Sequence, residues 1–336
     1  MLNTDQRRYI EDKYQASSQK TRNIVESWLE RFSMNEAEWG GDFTLQPREV
    51  LQSILNSIPA YRYDYAKAQL AELVSYANWR KENDLPCGTG IFELVVDTAY
   101  SIRECMVSSP AHLERVLSTI FEPSNLPTLD VIYRVFLWSA FIGLQDNDAV
   151  ALRTSDIDIS NGTIRVGDKY YQMYDEAIKD FRRAVQPGDF YEVSRTRIRG
   201  ASKKFARADG DLIMRGKKVS GAIQEPSALK DTIRSRLSRV LKNAKQKDGD
   251  KYPDIPYDLS YQKAYLSGIF YRMLQRELAG SSFDFKELAT EDVERKEAMG
   301  KSYSTSKSFT RQTIINRIAK GYETDYQNWK RSFYTD

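Results

Sequence analysis

Histidine occurs once in the 336 residues, at His112, and cysteine twice, at Cys87 and Cys105. Each scarcity closes off a class of chemistry. Two cysteines build no disulfide framework, and a reducing, cytoplasmic setting is the expectation. A Ser-His-Asp triad or a zinc centre would have to use His112, which lies in "SPAHLERVLSTIF", a capped helical segment with no cysteine or carboxylate cluster beside it. A packing or surface histidine is expected there. No Walker loop and no G-x-G-x-x-G occurs, so no nucleotide, cofactor or metal is expected. No apolar run approaches the ~20 residues of a membrane span. The opening "MLNTDQRRYIEDKYQ" carries charge throughout and does not read as a signal peptide.

Positive charge, in contrast, is concentrated in one place. The net charge is +3, yet residues 195–247 hold 16 Lys/Arg against 4 Asp/Glu, a local +12 that leaves −9 for the rest of the chain. Such a tract is the electrostatic footprint of a protein that binds a phosphate backbone. The alternative, a solvated surface, mixes its signs more evenly.

Apolar periodicity predicts helices over 17–35, with Ile24, Trp28, Leu29 and Phe32 on one face, over 47–58, and over 61–84, with Leu70, Leu73, Val74 and Ala77 inward. Segment 129–142, "LDVIYRVFLWSAFI", is apolar all round and predicts a buried central helix. "NGTIRV" and "KYYQMY" flank Gly167-Asp168 and predict a hairpin. Helices are further expected over 110–121, 175–185, 228–243, 258–279, 284–297 and 308–320, with an aromatic tail, and "DLIMRGKKVSG" as hairpin or loop; the helix over 228–243 has Leu229, Ile233, Leu237, Val240 and Leu241 as its apolar face. The fold class is therefore mainly α with a small antiparallel β-sheet. The expected domains are 1–85, a helical bundle, and 109–336, joined by a linker region at 86–108.

"GLQDNDAVALRTSDIDISNGTIRV" resembles the first catalytic box of the tyrosine recombinases, or phage integrases. In that box G-L-R, an acid three residues on, L-x-x-x-D-I and a strand follow in order. Gly143, Leu144, Asp148, Leu152, Asp156 and Ile157 match. "YDYAKAQLAELVSYANWRKENDLP" resembles the last helix of that family's SAM-like core-binding domain. The resemblance covers nearly the whole chain and implies a two-domain architecture, a core-binding bundle followed by an integrase-like domain.

The resemblance also implies where the chemistry would lie. In the family two arginines, assisted by lysine and histidine, stabilise a phosphorane-like transition state while a tyrosine attacks phosphorus. Here the first arginine position holds Gln145. The second box, H-x-L-R-H, aligns with "YDLSY", which puts Tyr257 at the first histidine and Ser260 at the arginine. The third box, L-G-H, aligns with "AMGKS" and puts Lys301 at the histidine. The nucleophile position falls at Phe309, which has no hydroxyl; Tyr303 is the nearest tyrosine. Only Lys169 stands where the family's catalytic lysine does. Losing a single preorganised charge stabiliser costs ~10²–10³ in rate, so several losses together predict a chain that is no enzyme.

A clamp without chemistry is expected to bind double-stranded DNA and no membrane. The helix over 228–243 matches the family's major-groove helix, so Arg234 and Arg236 are expected to read bases, with Lys230 and Arg239 flanking. Phosphate contact alone, or plain solvation, is the alternative. Arg195, Arg197, Arg199, Lys203 and Lys204 are expected on phosphates, as are Lys263, Lys301 and Arg311. Lys20, Arg22, Arg62 and Lys67 are candidates for the opposite jaw. Length, layout and lost catalytic positions also resemble the integrase-like master repressors of SPβ-type Bacillus prophages. A prophage repressor that maintains lysogeny is therefore the leading expectation. An accessory factor for integration or excision, or a divergent active recombinase, are the alternatives.

Overall fold

The computed structural model describes residues 2–58, 60–121, 130–186, 190–193, 202–206, 208–216, 218, 225–298, 300 and 310–334. In chain order its helices and strands are α1 (Thr4–Tyr14), α2 (Gln19–Phe32), α3 (Glu36–Trp39), α4 (Arg48–Ser57), α5 (Tyr63–Glu82), α6 (Ala99–Arg103), α7 (Pro110–Ile120), α8 (Asp130–Ile142), α9 (Asp146–Ala151), β1 (Ile157–Asp158), β2 (Thr163–Val166), β3 (Lys169–Gln172), α10 (Asp175–Val185), β4 (Phe190–Val193), β5 (Ser202–Phe205), α11 (Pro226–Asp248), α12 (Tyr261–Leu278), α13 (Phe285–Ala298) and α14 (Arg311–Tyr334). The protein is mainly helical with a small antiparallel sheet. No helix among the described residues is long and apolar enough to cross a membrane.

Two compact units form, one of Met1–Ile102 with Asp284–Asp336, the other of Arg103–Phe283. These extents differ from the boundaries read in the sequence, because 284–336 groups with the N-terminal bundle. In the first unit Tyr9, Val25, Leu29, Phe32, Phe43, Leu51, Leu73 and Tyr76 build the core. Ile24, expected to face inward, is 39% exposed, and Val25 takes the buried position. α1 begins on a reciprocal cap, in which Asn3 accepts from the Gln6 amide and the Gln6 side chain accepts from the Asn3 amide.

α5 shows why the chain end returns to this unit. Its N-cap is Arg62, which has no acceptor side chain. The Asp325 carboxylate on α14 supplies one, accepting from the Tyr63 amide at 2.7 Å and pairing with Arg62 at 2.5 Å. Arg62 also lies over the Tyr322 ring at 4.8 Å. The sequence reading ended this last helix at 320. Tyr322, Tyr326 and Trp329 instead continue one helical face past Gly321 and are buried.

The second unit is built around α8, of which every residue from Val131 to Ile142 is buried. α12 crosses it closely enough that a Cβ at Gly268 would stand 1.9 Å from the Phe141 carbonyl oxygen. Only glycine admits this approach. The one cation in the buried span of α8, Arg134, is matched by carboxylates. It donates to both Asp180 oxygens at 2.9 Å and to Glu114 at 2.9 and 3.0 Å, and Trp138 Nε1 donates to Asp180 at 3.0 Å. Burial raises the Glu114 carboxyl, but bonds from Lys179 and Ser118 and the Arg134 charge outweigh it and hold the group low. The sheet runs β1-β2-β3, antiparallel, with Val166 opposite Lys169. Its two-residue turn has Gly167 at φ 58°, the left-handed first position that a type II′ hairpin requires. β4 and β5 form a separate antiparallel pair, absent from the sequence reading.

Candidate nucleic-acid interface

The first and second boxes, far apart in sequence, meet in the second unit. Gly143, at φ +113°, ends α8, and Arg272 of α12 donates to the exposed Phe141 and Ile142 carbonyls at 2.7 and 3.0 Å. This cation at a helix C-terminus is a structural residue that sequence reasoning missed. Tyr261, buried at the start of α12, donates to the Leu144 carbonyl at 2.8 Å, and Gln145 Nε2 donates to the Tyr265 hydroxyl at 2.8 Å. Ser260 is the N-cap of α12, its Oγ accepting from the Lys263 amide at 3.4 Å. Tyr257 donates to the Asp248 carbonyl at 3.3 Å, and burial raises its phenol.

The charge at this meeting point is mixed. Asp146 and Asp148 stand in the first turn of α9, directly after Gln145. Burial pushes the Asp148 carboxyl up, neighbouring Asp146 adds to the shift, and Lys169 at the head of β3 opposes it. Asp146 is paired with Arg234. The point therefore combines two carboxylates and a neutral amide with Arg234 and Lys169 as the neighbouring cations. Cys105 is buried and its thiol pushed up to about 12, so it offers no thiolate. His112 accepts from the Ser108 amide at 3.2 Å, and burial lowers its pKa. Among the described residues no His, Cys, Asp and Glu group could hold a metal ion.

α11 lies beside this point with Leu229, Ile233, Leu237 and Leu241 buried, the stripe that the sequence predicts. Lys230 donates to Asn147 at 2.6 Å and Arg234 pairs with Asp146, while Arg236 and Arg239 are exposed. Lys263 is 8% exposed and is held by the carbonyl and carboxylate of Asp258. Lys203 and Lys204 fall on β5, in register with Glu192 and Tyr191. Arg195, Arg197, Arg199, Lys301, Tyr303 and Phe309 lie outside the described residues.

In the first unit, Arg311 reaches Glu294 at 3.3 Å and Glu297 at 3.4 Å. Arg22 donates to the Tyr14 carbonyl at 2.9 Å and to Gln15, closing the C-terminus of α1. Arg62 is committed to Asp325. Of the four jaw candidates, Lys20 and Lys67 remain exposed.

No protein-family profile matches the chain. No curated protein matches it either. Among solved structures, the integrase from mycobacterium phage Brujita is similar at a TM-score of 0.30 and 11% identity, over 98% of this chain and 93% of that one. At that distance the likeness assigns neither an activity nor a site.

Proposed function

We propose that the chain is a sequence-specific binder of double-stranded DNA, built on an integrase-like two-domain plan and lacking recombinase chemistry, that acts as a repressor in a prophage. One observation carries the reading: the positions aligned with the two catalytic arginines hold Gln145 and Ser260, and both are occupied by internal bonds, to Tyr265 and to the Lys263 amide. Asp146 and Asp148 beside them repel a phosphate rather than prepare it. The basic tract survives this loss of chemistry, and α11 keeps exposed arginines. Binding without strand transfer is what remains.

The test is recovery and sequencing of DNA bound by the chain in its host cell. Dispersed, promoter-linked repeats are expected. Sites confined to an attachment region would assign the accessory role instead, and the absence of any enriched site would overturn the reading. Affinity for the recovered duplex should fall with salt by about −0.9 in log–log slope per phosphate neutralised.

A further inference from the structure

α11 carries cations on two edges, and one of those edges is already occupied. Lys230, Arg234 and Lys245 run along one flank, and each has a partner within the unit: Asn147 at 2.6 Å, Asp146, and Glu104 at 3.7 Å. Arg236, Arg239 and Lys242 are exposed and have no ion pair among the described residues. The buried leucine–isoleucine stripe fixes the roll of the helix. With 3.6 residues per turn, Ser235, Arg239, Lys242 and Gln246 form one row about 180° from that stripe, whereas Arg234 lies about 140° round the helix from Arg239. All four residues of the row are exposed. In its pair with Asp146, Arg234 is half-exposed and Asp146 largely covered. It is the angle that keeps Arg234 off the outer row.

We infer that α11 meets duplex DNA on the row Ser235–Arg239–Lys242–Gln246, and that Lys230 and Arg234 are positioning residues that hold the helix against α9. The inference rests on the proposed reading that the chain binds DNA by sequence. Arginine, lysine, glutamine and serine are the side-chain types that pair with base edges in the major groove. From Ser235 to Gln246 the row carries two cations and no carboxylate, with Asp231 one turn before it, so this stretch complements a polyanion. Base readout thereby moves from Arg234 and Arg236 to Arg239 and Gln246, with Lys242 between them.

Selection from a pool of duplexes with a randomised centre tests this. Wild-type protein should retain a motif. Arg239→Ala should bind that motif roughly 5- to 150-fold more weakly and lose preference at one or more base pairs, the loss expected of an arginine–guanine pair. Gln246→Ala should shift a different position, and Arg239→Lys should keep random-DNA affinity while losing the base. Lys230→Ala and Arg234→Ala should select the wild-type motif. All the substituted side chains are at the surface, and unchanged thermal midpoints confirm the fold of each variant. A motif altered by Arg234→Ala and untouched by the outer-row variants would overturn the inference alone. Poly-glutamate competing as well as the selected duplex would also overturn it, by assigning the row to an acidic protein. A wild-type protein that retains no duplex would overturn the DNA reading itself.

Discussion

Arg134 and Arg239 both sit on helices of the second unit, and the fold uses them in opposite ways. Arg134 is buried, and its guanidinium is matched by Asp180 and Glu114 with good geometry. Arg239 is exposed and has no ion pair among the described residues. A cation that the interior has enclosed is fixed by its partners and is expensive to remove. A cation left bare costs the fold little and is free to spend its interactions on something else. The meeting point of the two boxes belongs with Arg134: Gln145, Ser260, Tyr261 and Lys263 are each bonded internally. Residue type alone does not distinguish the two cases; partners do.

Removing an enclosed charge should have the largest effect. Arg134→Ala leaves Asp180 buried without its counter-charge, and such a loss costs about 3–5 kcal/mol. Urea unfolding should show it as a lowered midpoint, and a loss no greater than that of Arg239→Ala would break the comparison. Asp325 comes next. Burial raises its carboxyl from 3.8 to about 6, against the pull of Arg62 and the Tyr63 amide. A raised acid binds more protons folded than unfolded between those values, so its contribution to stability falls as pH rises from about 4 to 6 and stays low above. Asp325→Asn keeps an acceptor for Tyr63 and should flatten that dependence, by on the order of 1–3 kcal/mol in the difference between wild type and variant.

Gln145→Arg should do less. The new guanidinium would meet Asp146 and Asp148 before any phosphate, so no covalent protein–DNA adduct should form on a nicked suicide substrate. An adduct would show that the alignment of the second and third boxes is wrong. Arg153 marks the lower end. Its pair with Asp211 is exposed on both sides, 58% and 53%, and Arg153→Ala should move neither the thermal midpoint nor DNA affinity measurably.

Much of the fold was legible because it follows from period. The stripe on α11, the all-apolar α8 and the glycine turn between β2 and β3 each state their surroundings within a few residues. The candidate site was legible only by position. Gln145 and Ser260 were singled out by the resemblance to the family's boxes alone, and the bond from Gln145 to Tyr265 joins residues 120 apart, which nothing local announces. Charge was the least legible property. Counting arginines and lysines found the basic tract, yet Arg22, Arg62, Lys263 and Arg234 each have an internal partner. For Arg62 that partner lies near the other end of the chain. The continuation of α14 was missed because Gly321 interrupts the apolar pattern, although Tyr322, Tyr326 and Trp329 resume it.

The seat of α14 on α5 also sets an order of events during synthesis. Translation usually lets N-terminal domains fold first, at about 5–20 residues per second. Here Arg62 and the bare first turn of α5 emerge early, while the carboxylate that completes them, Asp325, is 263 positions further on. At that rate the ribosome needs roughly 13–53 s to deliver it. The unit of Arg103–Phe283 is already synthesised by then, so of the two units the one begun earlier is the one finished later.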